Sequence, residues 1–447
     1  MIRSEGSRNI IKGLSWLFVE RVLRLGVVLV TGIYVARYLG DTIFGHLNYA
    51  TGFVGLFFAL GSAGIDDILV RDLVKYPEKR NELLGTGAMI KLFGAILMVI
   101  CATLGAILKD MDGLTVALIV VISSAELLRP FTVIDHWFMA EMKARRSAIA
   151  QIVQVVASSS AKFALVGAMH FGYLTPQGAL IWFAWVYVIE NTVLAAAYLI
   201  VFARAGGNWR EWRSTGPMVR YLLRESWPML IYGMALYIQA RIDQVMIKDM
   251  LTQSKGEDAA FAEVGQYSVA LRMIEALSFP TVILVKSLAP AITKARERSQ
   301  ALYKDRLLNQ YRLMFLTFLA MGIPLYLIAE PVITFFFGEE FRPAGFLLAL
   351  FSIRLFFTNM GMGKGSFIVN ESLFKYSLFT AVVGATTNIA VNWLMIPLYA
   401  SKGAIIATMI SFTMHIFVID LFVPRMRENL GLMMKGIFTF WRFHRAT

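Results

Sequence analysis

A single cysteine, Cys101, stands among 447 residues, so the chain holds no internal disulfide framework and no cysteine-based metal site. Charge is scarce too. Asp, Glu, Lys and Arg make up 16% of the residues, whereas 57% are hydrophobic; an ordinary globular domain carries about 25% charged residues. The apolar residues lie in runs long enough to cross a hydrocarbon core of about 30 Å. No Walker A glycine loop, zinc-ligand spacing or nucleophile elbow occurs, which argues against ATP hydrolysis and against an enzyme, and leaves no cofactor or metal expected. Acidic residues are the scarcer sign, 30 against 43 basic ones, for a net charge of +13. The cations concentrate in the connections between apolar runs, as the positive-inside rule requires, so no nucleic-acid partner is expected.

Twelve apolar segments follow in order, at about 14–38, 44–66, 84–108, 114–139, 147–170, 176–203, 225–250, 265–291, 309–335, 345–368, 374–397 and 402–423. They predict an all-α integral membrane protein with twelve transmembrane helices. Connections near 71–80, 143–146, 204–224 and 294–306 are basic, and those between them are acidic, neutral or short. Both termini are therefore expected in the cytoplasm. The first run lacks a small-residue cleavage site and is expected to stay as a helix rather than leave as a signal peptide. The tail mixes Arg425, Arg427, Lys435, Arg442 and Arg445 with Phe438, Phe440, Trp441 and Phe443, the composition of a surface-lying amphipathic helix or a partly disordered basic tail.

The stretch from Ser15 to Ala50 organises the reading. Its first helix carries Glu20, Arg21 and Arg24 inside a Leu/Val/Ile-rich run, breaks at Arg37-Tyr38-Leu39-Gly40-Asp41, and resumes at Phe44-Gly45-His46-Leu47-Asn48-Tyr49-Ala50. Arg24 falls near mid-membrane, where a charge must face protein or water. Its wall is either a Glu20–Arg24 packing pair or one side of a polar cavity. Val264-Gly265-Gln266-Tyr267-Ser268-Val269-Ala270 repeats the later part of this pattern, and Ser226-Trp227-Pro228 repeats the opening Ser15-Trp16. Six segments per half make the repeat parallel. The expected organisation is a six-helix bundle at 1–208, a basic linker at 209–224, a second six-helix bundle at 225–424 and a tail at 425–447, with a site between the halves at mid-membrane.

Arg37-Tyr38-Leu39-Gly40 with Phe44-Gly45-x-Leu47-x-Tyr49-Ala50 resembles the first-helix signature of the polysaccharide flippases. Arg241-x-Asp243-Gln244-Val245-Met246-Ile247, followed by Val264-Gly265-x-Tyr267-Ser268-x-Ala270-x-Arg272, is the more specific match. The chain as a whole resembles the Wzx-type flippases, the polysaccharide transporter branch of the multidrug/oligosaccharidyl-lipid/polysaccharide (MOP) superfamily. The resemblance implies a V-shaped, MATE-like pair of bundles in the bacterial inner membrane. It implies alternating-access transfer of an undecaprenyl-pyrophosphate-linked oligosaccharide to the periplasmic leaflet, for O-antigen, lipopolysaccharide, capsule or exopolysaccharide assembly. Membrane lipids, a polysaccharide polymerase and other assembly proteins are the implied partners. The alternatives are a cation-coupled multidrug antiporter of the same superfamily and an integral-membrane glycan polymerase or ligase, the latter disfavoured by the short outside connections.

Cations inside the segments fit a pyrophosphate, because a guanidinium meets phosphate oxygens as a planar fork. Arg24, Arg241, Arg272 and Arg354 are the leading candidates for headgroup contact, with Arg21, Lys91, Lys162 and Lys364 behind them. Lys91, Lys162 and Arg354 have no carboxylate three or four residues away, whereas Glu126–Arg129 and Arg272–Glu275 are spaced either to neutralise each other or to serve the site. Asp243 cannot meet Arg241 within one helix, and Arg24 is a candidate partner. Glu20, Asp243 and Asp135 are the candidates for coupling to a proton or sodium gradient, among further segment carboxylates at Asp66, Asp67, Glu190 and Asp420 and histidines at 46, 136 and 415. Asn388 and Asn392 suit either sugar contact or interhelical hydrogen bonding.

Overall fold

The computed structural model describes the backbone from Ile2 to Arg442 and the side chains from Arg24 onward, Ala144 excepted. Among the described residues there is no strand. Sixteen α-helices follow one another: α1 (Ile2–Gly55), α2 (Phe58–Ser62), α3 (Asp66–Lys75), α4 (Arg80–Leu108), α5 (Gly113–Ser124), α6 (Val133–Ala140), α7 (Ala144–His170), α8 (Pro176–Arg204), α9 (Gly216–Lys255), α10 (Glu257–Leu277), α11 (Phe279–Arg298), α12 (Gln300–Phe337), α13 (Arg342–Asn370), α14 (Phe374–Tyr399), α15 (Ser401–Thr413) and α16 (Pro424–Phe438). A 3-10 stretch, Ala125–Thr132, joins α5 to α6, and a π segment, Met414–Val418, extends α15.

Ten helical stretches of the described residues are long and apolar enough to cross a bilayer, which makes this a multi-pass membrane protein. The expected twelve segments differ from these ten in two places. The first two segments are two helices that meet at a kink within α1, and they count as one stretch, Arg24–Gly55 among the described residues. The seventh lies in α9, where Gln239, Arg241, Asp243, Gln244 and Lys248 interrupt the apolar run, and it is not among the ten.

The expected break in α1 falls at Gly40, with φ 75° and ψ 168°. Gly256, between α9 and α10, has nearly the same conformation (φ 85°, ψ 166°) and precedes the repeated Val264-Gly265 motif. A positive φ with an extended ψ is open only to glycine, so both copies of the repeat use the same backbone device. Elsewhere the breaks have ordinary causes. Pro280 lies in the first turn of α11, Pro324 and Pro331 lie inside α12, and the Asp112 carboxylate caps α5 by accepting from the Thr115 amide at 3.1 Å.

The chain forms two compact units, Met1–Tyr237 and Ile238–Thr447, dividing within α9. The first unit packs α7 on α8 and α1, and α4 on α2 and α5. One of its cores gathers Leu69, Leu84, Ile134, Trp137, Phe138 and Phe202. The second unit packs α12 on α13 and α14 on α15, with a core of Tyr303, Leu307, Tyr311, Met314, Met360 and Ile416. Met426 and Met433 of α16 are fully buried in that same core. The apolar face of the tail helix is therefore spent on α12, where Tyr311 donates to Asn429 at 2.8 Å and Arg312 donates to Thr439 at 3.0 and 3.1 Å. Phe443 and Arg445 lie outside the described residues.

Close helix approach depends on particular glycines. A Cβ on Gly94 of α4 would stand 2.2 Å from the Leu60 carbonyl oxygen, whereas one on Gly167 of α7 would meet nothing within 4 Å. Gly94→Ala is expected to cost about 1–3 kcal/mol through forced separation of α4 from α2, read as a lower unfolding temperature in detergent. Gly167→Ala should leave that temperature unchanged or slightly raised, and equal losses at both positions would contradict the packing argument.

Candidate functional site

Polar groups inside an apolar bundle must find partners there, because hydrocarbon supplies none. In the second unit they converge on Asp243, which is 3% exposed. Its carboxylate accepts from the Tyr267 hydroxyl at 2.5 Å, the Asn392 amide at 2.6 Å and the Thr408 hydroxyl at 2.9 Å. The four side chains come from α9, α10, α14 and α15. Next to this cluster, Gln244 donates to Ser268 at 2.8 Å. Asp243-Gln244 and Tyr267-Ser268, adjacent pairs within the two halves of the sequence motif, thus bond each other directly. Asn388 lies on the same network, 3.3 Å from Asn392 and 3.5 Å from Thr408. Within its own unit Asp243 is met by three donors, Tyr267, Asn392 and Thr408. The two asparagines serve interhelical bonding.

The lysines are neutralised by residues remote in sequence. Lys91, 4% exposed, donates to Asp66 at 2.6 Å and to the Thr132 hydroxyl at 2.9 Å. His136 Nε2 stands 3.0 Å from Asp66 and 3.1 Å from Lys91, and a single ring nitrogen can donate to the first or accept from the second, not both. Lys364 donates to Asp420 at 2.5 Å and to the carbonyls of His415 and Ile416 at 2.9 and 3.3 Å. Those carbonyls belong to the π segment, whose wider turn releases backbone oxygens from regular helix bonding. Tyr376 donates to the same Asp420 oxygen. Lys162 lies 3.8 Å from Glu190, which also accepts from Gln154 and Ser158 at 3.1 and 3.0 Å.

The arginines sit differently. Arg24, Arg241, Arg272 and Arg354 are all half-buried. Arg241 approaches Glu275 at 4.0 Å, across two helices rather than along one, and both side chains keep over a third of their surface exposed. Arg354 lies over the rings of Phe351 and Phe412, 5.6 and 5.4 Å from their centroids, an arrangement that suits a guanidinium. Glu126 and Arg129 do form the pair their spacing allows, at 3.2 Å. Asp135 accepts from Ser147, which is itself held by Gln151 at 3.0 Å. The side chains of Glu20 and Arg21 lie outside the described residues. Among the described residues no cluster of His, Cys, Asp and Glu is arranged to hold a metal ion.

Sequence reading marked Asp66, His136 and Asp420 as titratable groups but missed them as partners of Lys91 and Lys364, and it missed Tyr376 and Thr408 altogether. The signal available was one of type: a buried lysine demands an oxygen, and each unit holds few carboxylates in its helices. Removing the Asp243 carboxylate strands three buried donors. Asp243→Ala is expected to destabilise the second unit by about 3–5 kcal/mol, measured by unfolding of the detergent-solubilised protein. The exposed Asp67→Ala should change it by less than about 0.5 kcal/mol.

Comparison with known proteins gives this architecture its place. A family model described as polysaccharide biosynthesis protein matches residues 10–296. The membrane protein YabM of Bacillus subtilis (strain 168) is 23% identical over 399 residues, covering 84% of this chain and 72% of that protein. The lipid II flippase MurJ of the same organism is 21% identical over 461 residues, covering 88% and 80%. Among solved structures, a lipid II flippase MurJ in an inward closed conformation superposes with TM-score 0.71 at 12% identity, covering 95% of this chain and 91% of that one. An inward-facing multidrug resistance MATE family transporter of the MOP superfamily does so with TM-score 0.69 at 16% identity, covering 92% and 96%. The all-helical fold is therefore the one these MOP-superfamily transporters share, and over most of its length the chain belongs to the polysaccharide biosynthesis protein family.

Proposed function

We propose that the protein is a Wzx-type flippase. It moves undecaprenyl-pyrophosphate-linked oligosaccharide units from the cytoplasmic to the periplasmic leaflet of a bacterial inner membrane by alternating access, and its product feeds O-antigen, capsule or exopolysaccharide assembly. The observation that carries this reading is the polysaccharide biosynthesis family match, borne by a bundle whose membrane helices keep half-buried arginines. The relationship to a lipid II flippase supports a lipid-linked substrate. On this reading the transporter binds and releases its substrate without covalent chemistry, a polysaccharide polymerase works downstream, and both termini lie in the cytoplasm. A proton or sodium gradient drives the cycle. Asp135, half-buried, is a better coupling carboxylate than Asp243, whose oxygens already accept from three fixed donors.

Arg24 of the first unit and Arg241, Arg272 and Arg354 of the second are each assigned to headgroup contact in this proposal, while Lys91 and Lys364 act as structural cations. The test is translocation of a polyprenyl-pyrophosphate oligosaccharide by the reconstituted protein in proteoliposomes. Arg24→Ala and Arg241→Ala should each slow it about tenfold or more, the worth of one charge-assisted hydrogen bond, with folded yield unchanged. Undiminished movement in both variants would overturn the arginines' role. Export of a cationic dye under an ion gradient, with no lipid movement, would replace the flippase by the multidrug antiporter.

A further inference from the structure

The cations of the first unit fall into two kinds. Arg71 is compensated: it bonds Asp72 at 2.8 Å and the Tyr221 hydroxyl at 3.0 Å, and lies 3.5 Å from Glu225. Arg220 and Arg224, one turn apart on α9, make no ion pair or hydrogen bond among the described residues, and both are exposed. The acids around them are engaged elsewhere. Glu225 faces Arg71, Glu82 accepts from Thr215 at 2.5 Å, and Glu211 accepts from Asn81 and Asn208 at 3.1 and 3.2 Å. Like charges four apart on a helix repel each other, and an anion between them would remove that cost.

These two guanidinium groups line a cavity of about 790 Å³ together with Met89 of α4 and Val219, Leu223 and Ser214. Val219 and Leu223 are also one turn apart, so α9 presents an apolar stripe directly beside its cationic stripe. Trp209, Tyr221 and Trp227, near in sequence, are all exposed, as aromatic side chains are at a headgroup boundary. The connections on this side are the basic ones, which places the cavity toward the leaflet rich in anionic lipid.

We propose that this cavity is a binding site for an anionic phospholipid of the cytoplasmic leaflet, its phosphate held by Arg220 and Arg224 and its glycerol and upper acyl carbons lying on Met89, Val219 and Leu223. The apolar stripe is what selects a lipid over a free phosphate, since a soluble anion gains nothing from it. The site lies wholly within the first unit and does not depend on what the protein transports. It depends only on the basic connections facing the cytoplasm.

Native mass spectrometry of the full-length protein released from detergent tests it, with phosphatidylglycerol, phosphatidylcholine and a polyprenyl pyrophosphate as probes and inorganic pyrophosphate as a competitor. Phosphatidylglycerol should be retained over phosphatidylcholine, and Arg220→Gln/Arg224→Gln should weaken its retention about ten- to thirtyfold. The equally charge-reducing Arg306→Gln/Lys375→Gln, at exposed positions of the other unit, should leave it unchanged. Both positions on α9 are exposed, so an unaltered unfolding temperature certifies the variants. Equal retention of phosphatidylcholine, equal loss in the control variant, displacement by inorganic pyrophosphate, or loss of polyprenyl pyrophosphate in place of phosphatidylglycerol on Arg220→Gln/Arg224→Gln would each overturn the proposal.

Discussion

The carboxylate of Asp243 joins four helices, and the second unit is built around that junction. Within an apolar bundle a carboxyl group is tolerated only when its oxygens find partners. Tyr267, Asn392 and Thr408 fill them from α10, α14 and α15. Each of these donors would itself be costly to bury alone, so the cluster stands or falls as a whole. It also fixes the register of α9 against α10, because Gln244 and Ser268 pair one residue further along on both helices. The motif that most strongly suggested a family is thus, in physical terms, a pair of adjacent hydrogen-bonding rungs between two helices.

The same constraint explains where the helices depart from regular geometry. Asp420 alone could not satisfy the hydrogen bonding of Lys364, since an ammonium group carries three donors. The π segment at Met414–Val418 offers the carbonyls of His415 and Ile416 as the second and third acceptors. In the first unit Lys91 takes its second oxygen from Thr132, the last residue of a 3-10 stretch that contains Pro130. Both buried lysines are therefore seated against irregular turns. Such turns cost regular backbone bonds; at Lys364 the released carbonyls meet the buried ammonium, whereas at Lys91 the oxygen is the side-chain hydroxyl of Thr132.

Sequence alone made the helices and their joints legible, because hydropathy and glycine act locally. The break at Gly40 and its counterpart at Gly256 follow from a backbone conformation only glycine takes readily. The pairing of charges was not legible by the same means. Spacing along one helix reaches Glu126 with Arg129, but it could not bring Arg241 to Glu275 of the neighbouring helix. Spacing also left Lys91 without an acid, although Asp66 is 2.6 Å away. Intrahelical rules see only three or four residues in each direction, whereas packing brings together groups 25 to 56 positions apart, as it does for Lys91 and Lys364. The tail shows the same limit. Its amphipathic pattern marked a helix with one apolar face, but only tertiary packing could show that α12, not lipid, covers Met426 and Met433.

This division among the cations bears on what a translocation site requires. A lysine already locked to a carboxylate, as Lys364 is to Asp420, can receive an anionic headgroup only by abandoning a buried pair, at a cost of about 3–5 kcal/mol. A half-buried arginine keeps water among its partners and exchanges that water for phosphate oxygens at far smaller cost. Release is then as accessible as capture, which a carrier needs and a storage site does not. Arg241 and Arg354 meet that condition in different ways, one by a long contact to an exposed acid and the other by resting on aromatic rings that satisfy its charge without occupying its donors. An aromatic face under a guanidinium leaves the planar fork open at its edge, the geometry a pyrophosphate uses. A drug cation would gain nothing from either arginine and would be repelled by both, so on the proposed function the positions of these side chains favour an anionic cargo over a cationic one.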